Sequence, residues 1–416
     1  MNPFQSTNVL IPNIDNFDKW SVIACDQYTS QPEYWERVRE YVGDSYSALH
    51  LVFPEAELGT ENENMEKIKK INEMMHVYLE KNVWKSYENS YIYVERTLQN
   101  GSIRKGLVGV IDLEQYSYEK DAKTPIRATE KTIVERIPPR KMIRQDAPVE
   151  LPHVLLLCDD DERILMEPLA YKKEQLPKLY DFELMENGGR ITGWLIQGED
   201  AYEVNHQLQK YNEKCIQKAA DLGTAPVMYA VGDGNHSLAT AKTCYEEWKE
   251  NHSREEWEQH PSRYAMVELE NIYDDVQQFE PIHRLITNLN IPHMLEKMKA
   301  EDLIVQDGYP VRWFAGHCQG VIHINKEKGY LPVAILEEFW KSYFQQYPGI
   351  IDYIHGEQAL EELSTKENTI GFLMPSIEKN ELFSSISKGG VFPRKTFSIG
   401  HAQEKRYYLE ARKIVE

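Results

Sequence analysis

The run VMYAVGDGNHSLATAKT, residues 227–243, sets two glycines, an acid, an amide, an imidazole and a hydroxyl between an apolar strand and a helical pattern. Gly232 and Gly234 let the backbone turn sharply and approach a ligand closely. The first amides of the helix that follows have no intrahelical acceptor, and the helix dipole adds positive potential there. Such a junction can hold a phosphate or carboxylate without any lysine. Asn235, His236 and Ser237 would add donors at the rim, and Asp233 could contact a metal ion or orient a water. The competing reading is a plain turn in which Ser237 only caps the helix. The Walker pattern GxxxxGK[ST] is absent, and GxGxxG fails at its third glycine, where Ser237 stands.

A second concentration of chemistry is IRATEKTIVERIPPRKMIRQDAPVELPH, residues 126–153. It carries Arg127, Lys131, Arg136, Arg140, Lys141 and Arg144 against Glu130, Glu135, Asp146 and Glu150. Guanidinium forks match phosphate oxygens in pairs. A solvated helix face laced with ion pairs is the alternative. Asp26, in IACDQYTSQPEYW just ahead of a helical pattern, could serve as general base or as a simple turn residue. His283 and Arg284 follow Pro281 and suit phosphate or carboxylate recognition, or a buried satisfied pair. No HExxH or paired Cys/His spacing is present, so structural zinc is not expected. Cys25 has Asp26 beside it and no cationic sequence neighbour, which gives no reason to expect a reactive thiolate.

The composition narrows the classes. In 416 residues, 47 Lys and Arg face 67 Asp and Glu, a net charge of −20. So acidic a surface disfavours nucleic-acid and anionic-membrane partners. With 41% hydrophobic and 11% aromatic residues the chain can bury a large core. Five cysteines without a CxxC motif fit a reducing compartment. The opening residues lack a signal-peptide pattern, and no stretch is long and apolar enough to span a bilayer. A cytoplasmic globular protein is expected.

Elements of both types must position these groups. Helices are expected over 31–42, 63–82, 199–220 and 236–250, and a short one over 128–144 interrupted by Pro138-Pro139. The strands YIYVERT and KGLVGVIDL flank Asn100-Gly101, a hairpin signal. VLLLCDDDERILM reads as two strands around a solvated acidic tip, Asp159 to Glu162. Further strands are GRITGWLIQ, PVMYAV and RYAMVELEN. From about residue 286, helix and strand alternate in short units. A mixed α/β (α+β) chain results, with a core over 1–285 and a C-terminal α/β lobe over 286–416, the boundary being soft.

The order ACDQYTS, SALHLVFPE, RATEKT, GDGNHSLATA, PIHRLI and GGVFPRKTF resembles the domain of unknown function 1015 family, in register from about residue 22 to 398. That family's blocks read PPYDV, Pro-x-Ser-x-x-His, HE[HK]T, DGHHRYxxA, PTHR and PPKST. It is similar to the ParB/sulfiredoxin superfamily, which includes free serine kinases, sulfiredoxin and the CTP-hydrolysing ParB proteins. The resemblance implies a ParB/sulfiredoxin-like nucleotide-binding core. Asp233, Gly234, Asn235 and His236 fall on Asp-Gly-His-His; Glu130, Lys131 and Thr132 on Glu-His-Thr; His283 and Arg284 on His-Arg; Asp26 on the Asp of PPYD. Asn235 and Ser237 stand where the family has His and Arg. Arg127, Arg136, Arg140 or Lys242 is therefore the expected substitute contact, unless the ligand itself has changed.

With the resemblance added, the expected activity is nucleotide-dependent phosphoryl transfer from ATP or ADP to a small hydroxylated metabolite, serine or a similar amino acid among the candidates. Asp26, His236 and Arg140 are the expected catalytic residues. Gly232, Asp233, Gly234, Asn235, His236, Ser237, Arg127, Glu130, Lys131, Thr132, Arg136, Arg144, His283 and Arg284 are expected to bind nucleotide or phosphate, with Mg²⁺ on Asp233. A nucleotide and a small molecule are the expected partners, a homodimer is a possible assembly, and nucleic acid and membrane are not expected. The alternatives are a nucleotide-binding switch without transfer and a structural protein with an inert glycine turn.

Overall fold

The computed structural model describes residues 2–132 and 137–415. The chain is mixed α/β and divides into two units. One contains residues up to Ala128, Thr132–Gln277 and the returning segment from His401; the other contains Thr129–Lys131 and Gln278–Gly400.

The first unit is built on a sheet with eleven strands among the described residues. Its order is Lys178–Glu183, Arg190–Ile196, Trp84–Thr97, Ile103–Asp112, Tyr264–Asn271, Leu155–Cys158, Tyr229–Asp233, Ile126–Ala128 and Tyr116–Ser117, with two N-terminal strands paired alongside. Asn100-Gly101 does close a hairpin: Thr97 pairs with Ile103, and Gly101 takes φ 84°. The two-residue period of these strands separates two cores. Ile92, Val94, Val108 and Val110 enter one, beneath helices Pro32–Val42 and Glu61–Glu80. Tyr91, Tyr93, Leu107 and Ile111 enter the other, beneath helices Glu199–Leu222 and Asn235–Lys249. Burying each large apolar side chain contributes about 1.5–3 kcal/mol.

The last residues of the chain complete this unit. Tyr407 and Tyr408 pair with Ile23 and Val22, while Arg412 and Lys413 pair with Glu150 and Val149. Buried arginines fasten the segment: Arg96 donates to the carbonyls of Gln403 and Lys405 at 2.6 Å each. Arg406 bridges Glu268 and Glu410, each at 2.6 Å. Such buried charges are tolerable because backbone carbonyls satisfy Arg96 and two carboxylates pair with Arg406.

In the second unit, Cys318–Ile324, Ile304–Ala315, Ile370–Leu373, Phe279–Thr287 and Ile350–His355 form an antiparallel sheet, with Phe397–Ile399 also on Phe279–Thr287. Trp340, Leu336 and Phe339 of helix Pro332–Tyr343 pack into its core.

Two local expectations are corrected. The segment expected as one helix over 128–144 begins as strand Ile126–Ala128, and helix Ile137–Gln145 follows. Pro138 and Pro139 therefore sit in the first turn, where a missing N–H costs nothing, rather than interrupting the helix. Nor is the acidic run a solvated hairpin tip. Only Leu155–Cys158 is a strand; Asp160 is buried and its carboxylate accepts from the Leu165 amide at 3.0 Å, folding the chain toward helix Glu167–Lys172. Among the described residues, no helix is long and apolar enough to cross a membrane.

Candidate active site

Strand Tyr229–Asp233 runs into the glycine turn, and helix Asn235–Lys249 starts immediately after it. Gly234 has φ 84°, and a Cβ there would lie 3.0 and 3.1 Å from Val154 atoms. Glycine thus serves both a left-handed backbone and a close approach. The approach seats the start of the helix against the loop that carries His153.

Asp26 arrives from another direction. Its loop leaves strand Val22–Ile23, which is held by Tyr408, and the Cys25 amide donates to the Tyr408 hydroxyl at 3.3 Å. The Glu55 amide donates to the Cys25 carbonyl at 2.7 Å, placing Glu55 beside Asp26. Helix Ile137–Gln145 supplies Arg140. Its guanidinium pairs with Glu55, lies 3.7 Å from the Asp26 carboxylate and donates to the Ser237 hydroxyl at 3.5 Å.

His153 joins these groups. Nε2 is 3.2 Å from the Ser237 oxygen and 3.9 Å from Asp26 Oδ2, while Nδ1 is 2.7 Å from the Tyr408 hydroxyl. Burial pushes His153 below its ordinary value despite the Asp26 charge, so the ring is neutral at pH 7. Burial alone would raise the Asp26 carboxyl. The His153 ring when protonated at acid pH, the Arg140 guanidinium and a 3.0 Å hydrogen bond from Gln27 outweigh it and hold the group below the carboxylate range. Burial, reinforced by Asp26, pushes the Cys25 thiol up to about 12, so it is no thiolate. A hydrolytic triad is not formed, because Asp26 and Ser237 face the same imidazole nitrogen and a phenol occupies the other.

Ser237, His153, Arg140, Glu55 and Tyr408 line a cavity of about 700 Å³ in the first unit. That volume lies within the ~300–1,000 Å³ of small-molecule sites. Arg144, one turn beyond Arg140, lines it too and pairs with Glu150 at 2.5 Å.

The expected residues separate into those this cluster gathers and those it does not. Asp26, Arg140 and Ser237 meet, with Arg144 in the same cavity. Gly232 lies within strand Tyr229–Asp233, and Asn235 and His236 occupy the first helical turn, half-buried. Arg127 is turned elsewhere, donating to the carbonyls of Thr124 at 2.9 Å and Ala225 at 3.3 Å, because it lies on a strand rather than a helix. Lys242 donates to the Leu113 carbonyl at 2.8 Å. Thr132 is buried in the first unit, whereas Glu130 and Lys131 belong to the second, where both meet the Phe392 backbone. His283 and Arg284 also lie in the second unit, on strand Phe279–Thr287. Fully buried Arg284 pairs with Glu337 at 2.6 Å and donates to the Ile282 carbonyl at 2.6 Å. His283 Nδ1 accepts from the Met374 amide at 3.2 Å. Arg136 lies outside the described residues.

Asp233, the expected Mg²⁺ contact, has a cation beside it. The Lys405 ammonium stands 3.6 Å from Asp233 Oδ2 and already balances its charge. Among the described residues, no three His, Cys, Asp or Glu side chains gather as a metal site.

Glu55, His153, Tyr408 and Lys405 were not singled out by sequence reasoning. Glu55 closes the SALHLVFPE block and His153 the basic segment, so both stood in quoted motifs. Tyr408 reaches Cys25 across 383 residues and carries no local signal.

No curated protein matches the chain. Among solved structures, it is similar to a conserved hypothetical protein from Pyrococcus furiosus, at 11% identity and TM-score 0.36 over 74% of this chain and 94% of the other. A free serine kinase in complex with AMP is similar at 11% identity and TM-score 0.37, covering 74% and 90%. SbnI with C-terminal truncation from Staphylococcus aureus is similar at 8% identity and TM-score 0.37, covering 70% and 82%. Likenesses this loose carry no argument about the site. The sequence itself matches a family model over residues 3–388, nearly its whole length, and the chain belongs to that family, DUF1015, described as protein of unknown function.

Proposed function

We propose that the protein is a nucleotide-dependent phosphotransferase, using ATP or ADP and acting on a small hydroxylated metabolite. The observation that carries this reading is the meeting of Asp26, Arg140 and Ser237 around His153, where the glycine turn opens into its helix. Phosphoryl transfer asks for positioning and charge neutralisation more than for covalent chemistry by the protein. The Asp26 carboxylate, ionised at pH 7, takes the proton of the acceptor hydroxyl as its oxygen bonds to the terminal phosphorus. The bond from that phosphorus to the nucleotide breaks, and the shortened nucleotide leaves with the electron pair. Arg140 neutralises the charge that builds up, and Ser237 donates at the helix start. The neutral His153 ring, held by Tyr408, keeps Ser237 in place.

Thermal shift against ATP, ADP and CTP, with and without Mg²⁺, tests binding. A ligand at 100 times its dissociation constant stabilises by about 2.7 kcal/mol. Transfer of labelled phosphate to a panel of hydroxylated metabolites tests the chemistry, with Asp26→Asn as control. Failure of every nucleotide to shift the melting temperature removes this reading. A shift without transfer makes the protein a nucleotide-responsive switch instead.

A further inference from the structure

Most of the cavity wall does nothing for a phosphate. Leu51, Val52, Phe53, Ile68, Met75 and Met266 line it, and all are buried. They come from the 48–53 segment, helix Glu61–Glu80 and strand Tyr264–Asn271, so three separate parts of the chain converge to make it apolar. One group of polar side chains, Glu55, Arg140, His153, Ser237 and Tyr408, clusters around Asp26, with Arg144 tied to Glu150; Glu61, Asn64 and Thr240 also line the cavity. Along this apolar part of the wall, water finds few hydrogen-bond partners. A compact polar acceptor such as an amino acid would leave that wall uncovered.

We infer that the acceptor is an amphipathic alcohol: its hydroxyl stands at the Asp26–Arg140–Ser237 cluster, and its apolar body fills the space bounded by Leu51, Phe53, Ile68 and Met75. This rests on the phosphotransferase reading for the role of the hydroxyl. The apolar wall supplies affinity in proportion to the hydrocarbon it covers, and the cluster supplies orientation.

The test is a homologous series. Binding of 1-hexanol, 1-octanol and 1-decanol to the full chain is measured by calorimetry, beside L-serine, with nucleotide thermal shift run in parallel. The dissociation constant is expected to fall about fourfold per added methylene, and serine is expected to release no heat. Ala147→Phe, which crowds the same wall, is expected to abolish decanol binding and leave the nucleotide shift unchanged; Ile68→Phe repeats the experiment if the first variant does not fold. A dissociation constant flat across the series overturns the inference. So does a crowding variant that loses the nucleotide shift, since the space would then belong to the nucleobase. Alcohols that follow the series in a protein deaf to every nucleotide support the apolar site and remove the phosphotransferase reading alone.

Discussion

The Ser237 hydroxyl oxygen lies 3.2 Å from Nε2 of His153, joining the first turn of helix Asn235–Lys249 to the loop ahead of strand Leu155–Cys158. The same oxygen accepts from Arg140 at 3.5 Å. Ser237→Ala removes both contacts without changing backbone or volume much. A hydrogen bond to a charged group is worth about 1.5–3 kcal/mol, so kcat/KM for phosphate transfer is expected to fall roughly 10- to 100-fold. An unchanged melting temperature would show that the loss is not one of folding.

Tyr408→Phe tests the other side of the ring. The phenol lies 2.7 Å from His153 Nδ1, and both groups are buried, so the variant leaves an imidazole nitrogen without its partner. Such an orphan costs about 1–3 kcal/mol, read as a lower urea midpoint. Cys25→Ala removes the thiol sulfur that lies 3.1 Å from the same hydroxyl and leaves the His153 contact intact. It is expected to cost less than Tyr408→Phe, and the reverse order would mean that the thiol is the partner that matters.

Asp26 gives the pH dependence. Burial raises its carboxyl, but His153, once protonated in the acid range, and Arg140 prevail and hold it low. A carboxyl depressed in the folded state contributes stability above its unfolded value, about 3.9. That contribution is lost as pH falls through the folded value. The acid limb of kcat/KM is therefore expected below about pH 4. Arg140→Gln removes one of the opposing charges, and the limb is expected to move to higher pH. A limb that stays in place would take Asp26 out of the reaction.

Gly234→Ala should be the costliest change at the turn. A residue with a Cβ at φ 84° meets strain of about 1–2 kcal/mol, and the new atom would also stand 3.1 Å from Val154 Cα. Trimming the neighbour with Val154→Ala relieves the side-chain contact at 3.0 Å but not the backbone one. Calorimetric melting of the two single variants and the double should show only partial recovery.

Local pattern made much of this legible. Pro32–Val42 buries Tyr34, Trp35, Val38 and Val42, the residues its helical spacing marked. Asp26 and Ser237 were visible because each sits near an element boundary with a charge or hydroxyl, and Arg140 because it belongs to a basic run in an acidic chain. The rest depended on long-range closure. Arg127 looked like Arg140 in sequence, yet a strand rather than a helix carries it, and its guanidinium turns to backbone carbonyls. Glu55, His153 and Tyr408 enter the cluster through partners tens to hundreds of residues away, and no periodicity records such pairings. Arg284 has the residue type of a phosphate binder, but burial and Glu337 commit it to the core of its own unit.

His283 offers an independent test in the second unit. Burial, aided by His355 and Arg284, lowers its pKa to about 4, because a charged ring there would lose water and gain repulsion; Glu357 opposes only in part. Between the ordinary value of 6.5 and about 4, the unfolded chain takes up a proton that the folded ring refuses. The unfolded state then binds more protons, so stability falls as pH is lowered across that window. His283→Gln keeps an oxygen able to accept from the Met374 amide but removes the titration. Its melting temperature is expected to change less than the wild type's between pH 7 and pH 5, and parallel curves would show that His283 titrates normally.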